Sequence, residues 1–148
     1  MILHILTEDQ IRAAVASSIP MVATDGFLQK GQGHPRASGT FSRLLGRYVR
    51  ETPVLPMMEA LRKITLAPAQ RVEERAPAMA NKGRIRIGAD ADLTVFDPEN
   101  VIDQATYRDP AAYSKGIRYV LVSGVPVVAH GKLQEGVRPG RPLRAPIG

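Results

Sequence analysis

The chain has 148 residues, enough for one ordinary domain or two small ones, and its 44% apolar content suits a folded core. It has no cysteine, which excludes disulfides, thiolate metal sites and thiol nucleophiles together. The net charge is +6, but aromatics are only 5% and tryptophan is absent, so the basic stripe interleaved with aromatics that marks a nucleic-acid binder is missing.

Fifteen of the twenty basic residues are arginines, spread along the chain except for Arg138, Arg141 and Arg144. They read as solvated faces plus a few anion contacts. No apolar run approaches the roughly 18 residues of a membrane span. No stretch has the layout of a secretory signal. Neither a membrane nor a nucleic acid is expected as a partner, and a cytoplasmic location is compatible with the composition.

Thr7 and Gln10 have capping-box spacing, with Glu8 and Asp9 favouring a helix start. Ile11, Ala14, Val15 and Ile19 then recur at helical spacing up to Pro20. Met21 to Ala23 follow as a short apolar strand ending at Thr24-Asp25-Gly26. A helix, a strand and then a loop is the rhythm of a parallel α/β fold, whose chemistry sits where strands end. Asp25 stands at such an end. It is either a catalytic carboxylate or an Asp capping a turn before Gly26.

Gly26 to Thr40 reads as a loop, and His34-Pro35-Arg36 is its most distinctive part. Arg36 has the forked geometry that suits a carboxylate; taken as a bare residue, an ordinary surface arginine is the favoured reading. His34 has no second His or Cys at ligand spacing, so a metal role is not expected for it. His4 lies near the terminus, and His130-Gly131 reads as a turn. Phe41, Leu44, Leu45, Tyr48 and Val49 make a helical stripe, with Arg43, Arg47 and Arg50 facing away.

Pro56 opens a helix carrying Met57, Met58, Leu61 and Ile64, and Pro68 is expected to stop it, with a short turn over Ala69 to Val72. Glu73 to Lys82 reads as a linker. Ile85 and Ile87 alternate with Arg84 and Arg86, which predicts a half-buried strand. Leu93 to Phe96 is a second strand. Ile117 to Val122, the Ser123-Gly124 turn and Val125 to Ala129 form a hairpin, with Pro126 suggesting an edge position. Gly136 to Gly148 reads as an extended arm.

Thr24-Asp25-Gly26, His34-Pro35-Arg36, Gly39-Thr40-Phe41 and Leu45-Gly46-Arg47-Tyr48-Val49-Arg50-Glu51 resemble the carboxyl-terminal part of the N-acyl-D-amino-acid deacylases, members of the amidohydrolase superfamily. Lys82-Gly83-Arg84-Ile85, Gly88-Ala89-Asp90-Ala91-Asp92-Leu93 and Val95-Phe96-Asp97-Pro98 resemble the superfamily's return from barrel to β domain, as do Ile117 to Gly124 and Arg138-Pro139-Gly140-Arg141. The similarity runs from about Thr7 to Arg144. The Ala-Asp-Leu part is shared by many amidohydrolases; the Asp-Gly to His-Pro-Arg spacing is more specific to the deacylases.

The resemblance implies an α/β fragment plus β: the last strand and helices of a metal-dependent (β/α)8 barrel over 1–82, then part of a small antiparallel β-sandwich over 83–148. It implies hydrolysis of the amide bond of an N-acyl-D-amino acid in a zinc enzyme. In the family an Asp after the eighth strand moves the proton between water and the leaving amine, and the match places it at Asp25, a metal contact only in a complete protein. The family's arginine for the substrate α-carboxylate falls on Arg36, and His34 of the same motif is grouped with it as substrate-binding.

No His-x-His pair occurs in the chain. Zinc is therefore expected in a complete enzyme and not on this chain alone, which is expected to be inactive by itself. Exposed strand edges would call for a longer parent, a partner chain or a homo-oligomer. The alternatives are a non-catalytic remnant or assembly module, and another amidohydrolase of the hydantoinase or dihydroorotase kind.

Overall fold

The computed structural model describes residues 5–145. His4 and the last three residues of the expected arm lie outside them. Helix α1 spans Glu8–Ala16, and its start is the predicted capping box: Gln10 N–H donates to Thr7 Oγ1 at 3.3 Å and Thr7 N–H to Gln10 Oε1 at 2.8 Å. The helix ends a turn before the expected Pro20, with Ser17 at its C-cap, and Ile19 is left 89% exposed.

Met21 to Ala23 form no strand, contrary to expectation. Backbone pairing needs a neighbour, and no strand lies beside this stretch among the described residues; Val22 N–H instead donates to the Lys63 carbonyl at 3.3 Å. Lys63 is fully buried, and its ammonium donates to the carbonyls of Ser17 and Pro20. One lysine thus holds the chain between α1 and Asp25 through both its backbone and its side chain.

The expected loop from Gly26 to Thr40 is better ordered than its composition suggests. Two short strands, β1 (Leu28–Gln29) and β2 (Gln32–Gly33), pair antiparallel around Lys30-Gly31, both with positive φ, as a tight two-residue hairpin requires. Helix α2 then begins at Arg36 and runs to Arg43, continuing as a π-helical stretch over Leu44–Glu51. Leu44, Leu45 and Tyr48 of the predicted stripe are buried, while Phe41 keeps 42% of its surface.

The arginines of this helix do not simply face water. Arg47 pairs with Glu8 at 3.2 Å, Arg43 with Asp103 at 3.2 Å, and Arg50 donates to the Val101 and Pro98 carbonyls at 2.7 and 3.1 Å.

Helix α3 (Met57–Ile64) starts after Pro56 as predicted, and α4 (Leu66–Glu73) follows after Thr65. Pro68 lies in the first turn of α4 and does not stop a helix, because its missing N–H is one a first turn leaves unpaired anyway. Within the predicted linker, Pro77–Asn81 form a 3-10 turn.

Arg84 to Ile87 form no strand; Ile85 and Ile87 are 91% and 105% exposed, so their alternation with arginines buries nothing. The β half is a four-stranded antiparallel sheet in the order β3 (Leu93–Phe96), β4 (Ile117–Val122), β5 (Val125–Ala129) and β6 (Lys132–Leu133). Strand β5 is thus interior to the sheet, not an edge. Pro126 is tolerated because β6 pairs only with Val128 and Ala129, which leaves the proline end of β5 without a neighbour on that side.

The core joins both halves. Leu44, Leu45, Tyr48, Leu55, Ala60 and Val101 are buried together, with Phe96 and Ile117 of the sheet packed against them. Each fully buried aliphatic side chain contributes about 1.5–3 kcal/mol. Gly46 lets the helix come this close: a Cβ there would lie 2.5 Å from the Val101 carbonyl oxygen and 2.4 Å from Ile102 Cδ1.

Candidate active site

The hairpin and the start of α2 bring Asp25, His34 and Arg36 to one place. Asp25 has φ 42°, a left-handed conformation that Asp adopts more readily than most residues. Gly26 follows because the chain passes hard against α2: a Cβ there would sit 2.8 Å from Ala37 N and 3.0 Å from Arg36 Cγ. The outcome is a contact between Arg36 Nη2 and Asp25 Oδ2 at 3.2 Å.

The Asp25 side chain is 92% exposed and that of Arg36 47%. A single-point ion pair this open to water contributes at most about 1 kcal/mol. The carboxylate and the guanidinium are therefore both available to a ligand that offers something better.

His34 forms the bridge behind this pair. Its carbonyl accepts from Ala37 N–H at 3.0 Å, and its Nδ1 accepts from Arg36 N–H at 3.1 Å. These bonds satisfy first-turn donors of α2, whose N-cap, Pro35, supplies no side-chain acceptor. Burial, and then the Arg36 guanidinium, hold the imidazole below its ordinary pKa. A neutral ring whose Nδ1 accepts must carry its proton on Nε2. Nε2 lies 3.4 Å from Tyr107 Oη, with the two rings edge to face at 5.1 Å.

Tyr107 went unseen in the sequence. It lies 73 residues from His34 in a polar loop with no motif around it. Lys63 was missed as well, since a lysine on an amphipathic helix normally signals its solvated face. Only its burial and its hydrogen bonds to the Ser17 and Pro20 carbonyls reveal its task.

Among the described residues no group of three or more His, Asp or Glu side chains could hold a metal ion. Asp25 belongs to no such group, and both His34 nitrogens are engaged, so these residues do not make a zinc site by themselves. No helix among them is long and apolar enough to cross a membrane.

The chain is 40% identical over 139 residues to the N-acyl-D-glutamate deacylase of Alcaligenes xylosoxydans xylosoxydans, a match covering 94% of this chain and 27% of that protein. It is 36% identical over 126 residues to the D-aminoacylase of the same organism, covering 85% of this chain and 25% of the relative.

The fold superposes on the crystal structure of an N-acyl-D-glutamate deacylase from Bordetella bronchiseptica, complexed with zinc and a phosphonate inhibitor that mimics the tetrahedral intermediate. The TM-score is 0.82 at 38% identity, over 95% of this chain and 28% of that one. A D-aminoacylase crystal structure gives a TM-score of 0.79 at 32% identity, over 88% and 26% of the two chains. The chain thus spans about a quarter of the length of the relatives it matches. The model of the amidohydrolase family matches residues 5–128, and the chain belongs to that family.

Proposed function

We propose that this chain supplies the general base and the carboxylate clamp of a zinc-dependent N-acyl-D-amino-acid deacylase. In this reading 1–82 close a (β/α)8 barrel, and 83–148 form part of a β-sandwich with a C-terminal arm. The observation that carries it is the exposed Asp25–Arg36 contact at 3.2 Å where the loop meets the start of α2, in a chain 40% identical to an N-acyl-D-glutamate deacylase.

The chemistry follows from these two groups. The α-carboxylate of the substrate offers Arg36 two oxygens, a better partner than the single Asp25 oxygen it now contacts. Substrate binding then frees Asp25. Its carboxylate takes a proton from the attacking water as the new C–O bond forms and returns it to the amine nitrogen as the C–N bond breaks. The products are a carboxylate and a D-amino acid. His34 completes the carboxylate-binding loop beside Arg36.

Zinc accompanies the Bordetella relative. Its ligands in a complete protein would come from residues beyond those described here, so the 148-residue chain on its own should be inactive. The test is turnover of N-acetyl-D-glutamate by the complete zinc-loaded protein. Asp25→Asn should lower kcat by about 10²–10⁴ while zinc content stays constant. Full activity in that variant would remove Asp25 from the mechanism.

A second reading, a non-catalytic assembly module, is favoured by the exposed Ile19, Phe27, Ile85 and Ile87. It requires self-association or capture of a partner chain, with no turnover even when zinc is supplied.

A further inference from the structure

The loop from Asp103 to Ser114 belongs to the β half, yet it is fastened to the first turns of α2. Ser38 Oγ donates to the Pro110 carbonyl at 2.8 Å, and Ser114 Oγ donates back to the Ser38 carbonyl at 3.4 Å. Pro110 is fully buried. Asp103 pairs with Arg43, and a Cβ on Gly39 would stand 2.8 Å from Asp103 Cβ, so helix and loop are in direct contact. Between these anchors Thr106 and Asp109 close a small turn: Thr106 N–H donates to the Asp109 carbonyl and Asp109 N–H to Thr106 Oγ1, both at 3.0 Å. Tyr107 sits in that turn.

A rigidly held turn of this kind delivers its side chain to a fixed point. The point it reaches is the far side of His34, whose other nitrogen holds the Arg36 backbone.

We propose that Tyr107 is a positioning residue for Arg36, acting through His34, so that the β half sets the orientation of the carboxylate clamp. The proposal rests on the assignment of Arg36 above and extends it. Both imidazole nitrogens are engaged within the protein, so His34 serves the substrate through Arg36. Arg36 N–H can only donate, so it fixes Nδ1 as the bare nitrogen and puts the imidazole proton on Nε2; the Tyr107 hydroxyl, accepting from Nε2–H, holds the ring in the orientation that keeps Nδ1 on Arg36 N–H. Removing the hydroxyl leaves the Nε2 edge unheld, so the ring can swing off Arg36 N–H, which loosens the helix start that carries Arg36.

Two measurements test this. Nitrogen NMR of the imidazoles in the full 148-residue chain should show His34 protonated at Nε2 and bare at Nδ1. Tyr107→Phe keeps the ring and should move both the His34 nitrogens and the Arg36 amide signal. Tyr113→Phe, an exposed tyrosine of the same loop, should move neither. In the complete zinc-loaded protein Tyr107→Phe should raise KM for an N-acyl-D-amino acid about three- to tenfold, with kcat within about twofold.

Unchanged His34 and Arg36 signals in Tyr107→Phe would overturn the proposal, as would an active enzyme whose KM does not move. Absence of deacylase activity in the unsubstituted protein would instead sink the functional reading, and the NMR result alone would then decide the role of Tyr107.

Discussion

The two ends of the continuous helix Arg36–Glu51 use the same residue type for opposite purposes. At its start, Arg36 meets one oxygen of an almost fully exposed carboxylate. At its far end, Arg50 donates to two backbone carbonyls of the β half, at 2.7 and 3.1 Å. Midway, Arg43 holds Asp103, whose side chain is only 12% exposed. A ligand carboxylate can displace a wet, single-point partner at little cost, but it competes poorly for a guanidinium already held by several or partly buried acceptors. On the proposed reading, function belongs to the loosely held end, and the seam between the halves to the tightly held one.

The contrast can be broken from either side. The largest effect should come from the loose end, where Asp25→Asn in the complete protein removes about two to four orders of magnitude in kcat and leaves the melting temperature unchanged. Arg36→Lys should come next. It keeps the charge but loses the fork, so KM for the acyl amino acid should rise about tenfold or more with a smaller change in kcat.

At the tight end the signature inverts. Gly46→Ala forces a methyl against the Val101 carbonyl and should cost about 1–3 kcal/mol by denaturant unfolding, with activity per folded molecule retained. Arg50→Ala strands the part-buried Val101 carbonyl and should cost about 1 kcal/mol. A large kcat loss from Gly46→Ala without destabilisation would erase the distinction between the two ends.

The smallest effect concerns acid. Hydrogen bonds from the Lys82 ammonium and then from Ser123 N–H hold the Asp92 carboxyl below the usual carboxylate range. A folded-state pKa below the unfolded one means stability present above about pH 4 and lost as pH falls through the folded value. Asp92→Asn should remove less than about 1 kcal/mol of that acid sensitivity, read as a flatter unfolding free energy below about pH 4.

Much of the candidate site was legible in the sequence because its parts are local. Asp25, His34 and Arg36 lie within twelve positions, and the glycines between them already announce tight turns. The capping box at Thr7, the hydrophobic stripe through Tyr48 and the β4–β5 hairpin were legible for the same reason. The failures also share a cause. Met21 to Ala23 and Arg84 to Ile87 have strand-like patterns, but a strand exists only where another lies beside it, and no pattern within one segment states that.

The amino-acid sequence by itself determined the family, the starts of α1 and α3, the strands Leu93–Phe96, Ile117–Val122 and Val125–Ala129, and the stretch that carries Asp25 and Arg36. Each of these is written in residues a few positions apart, where capping, periodicity and turn chemistry act. The tertiary structure alone decided that Lys63 is a buried anchor, that Gly46 admits Val101, and that Tyr107 reaches His34 from 73 residues away. Those contacts depend on how two halves of the chain meet, which is set by burial summed over the whole core.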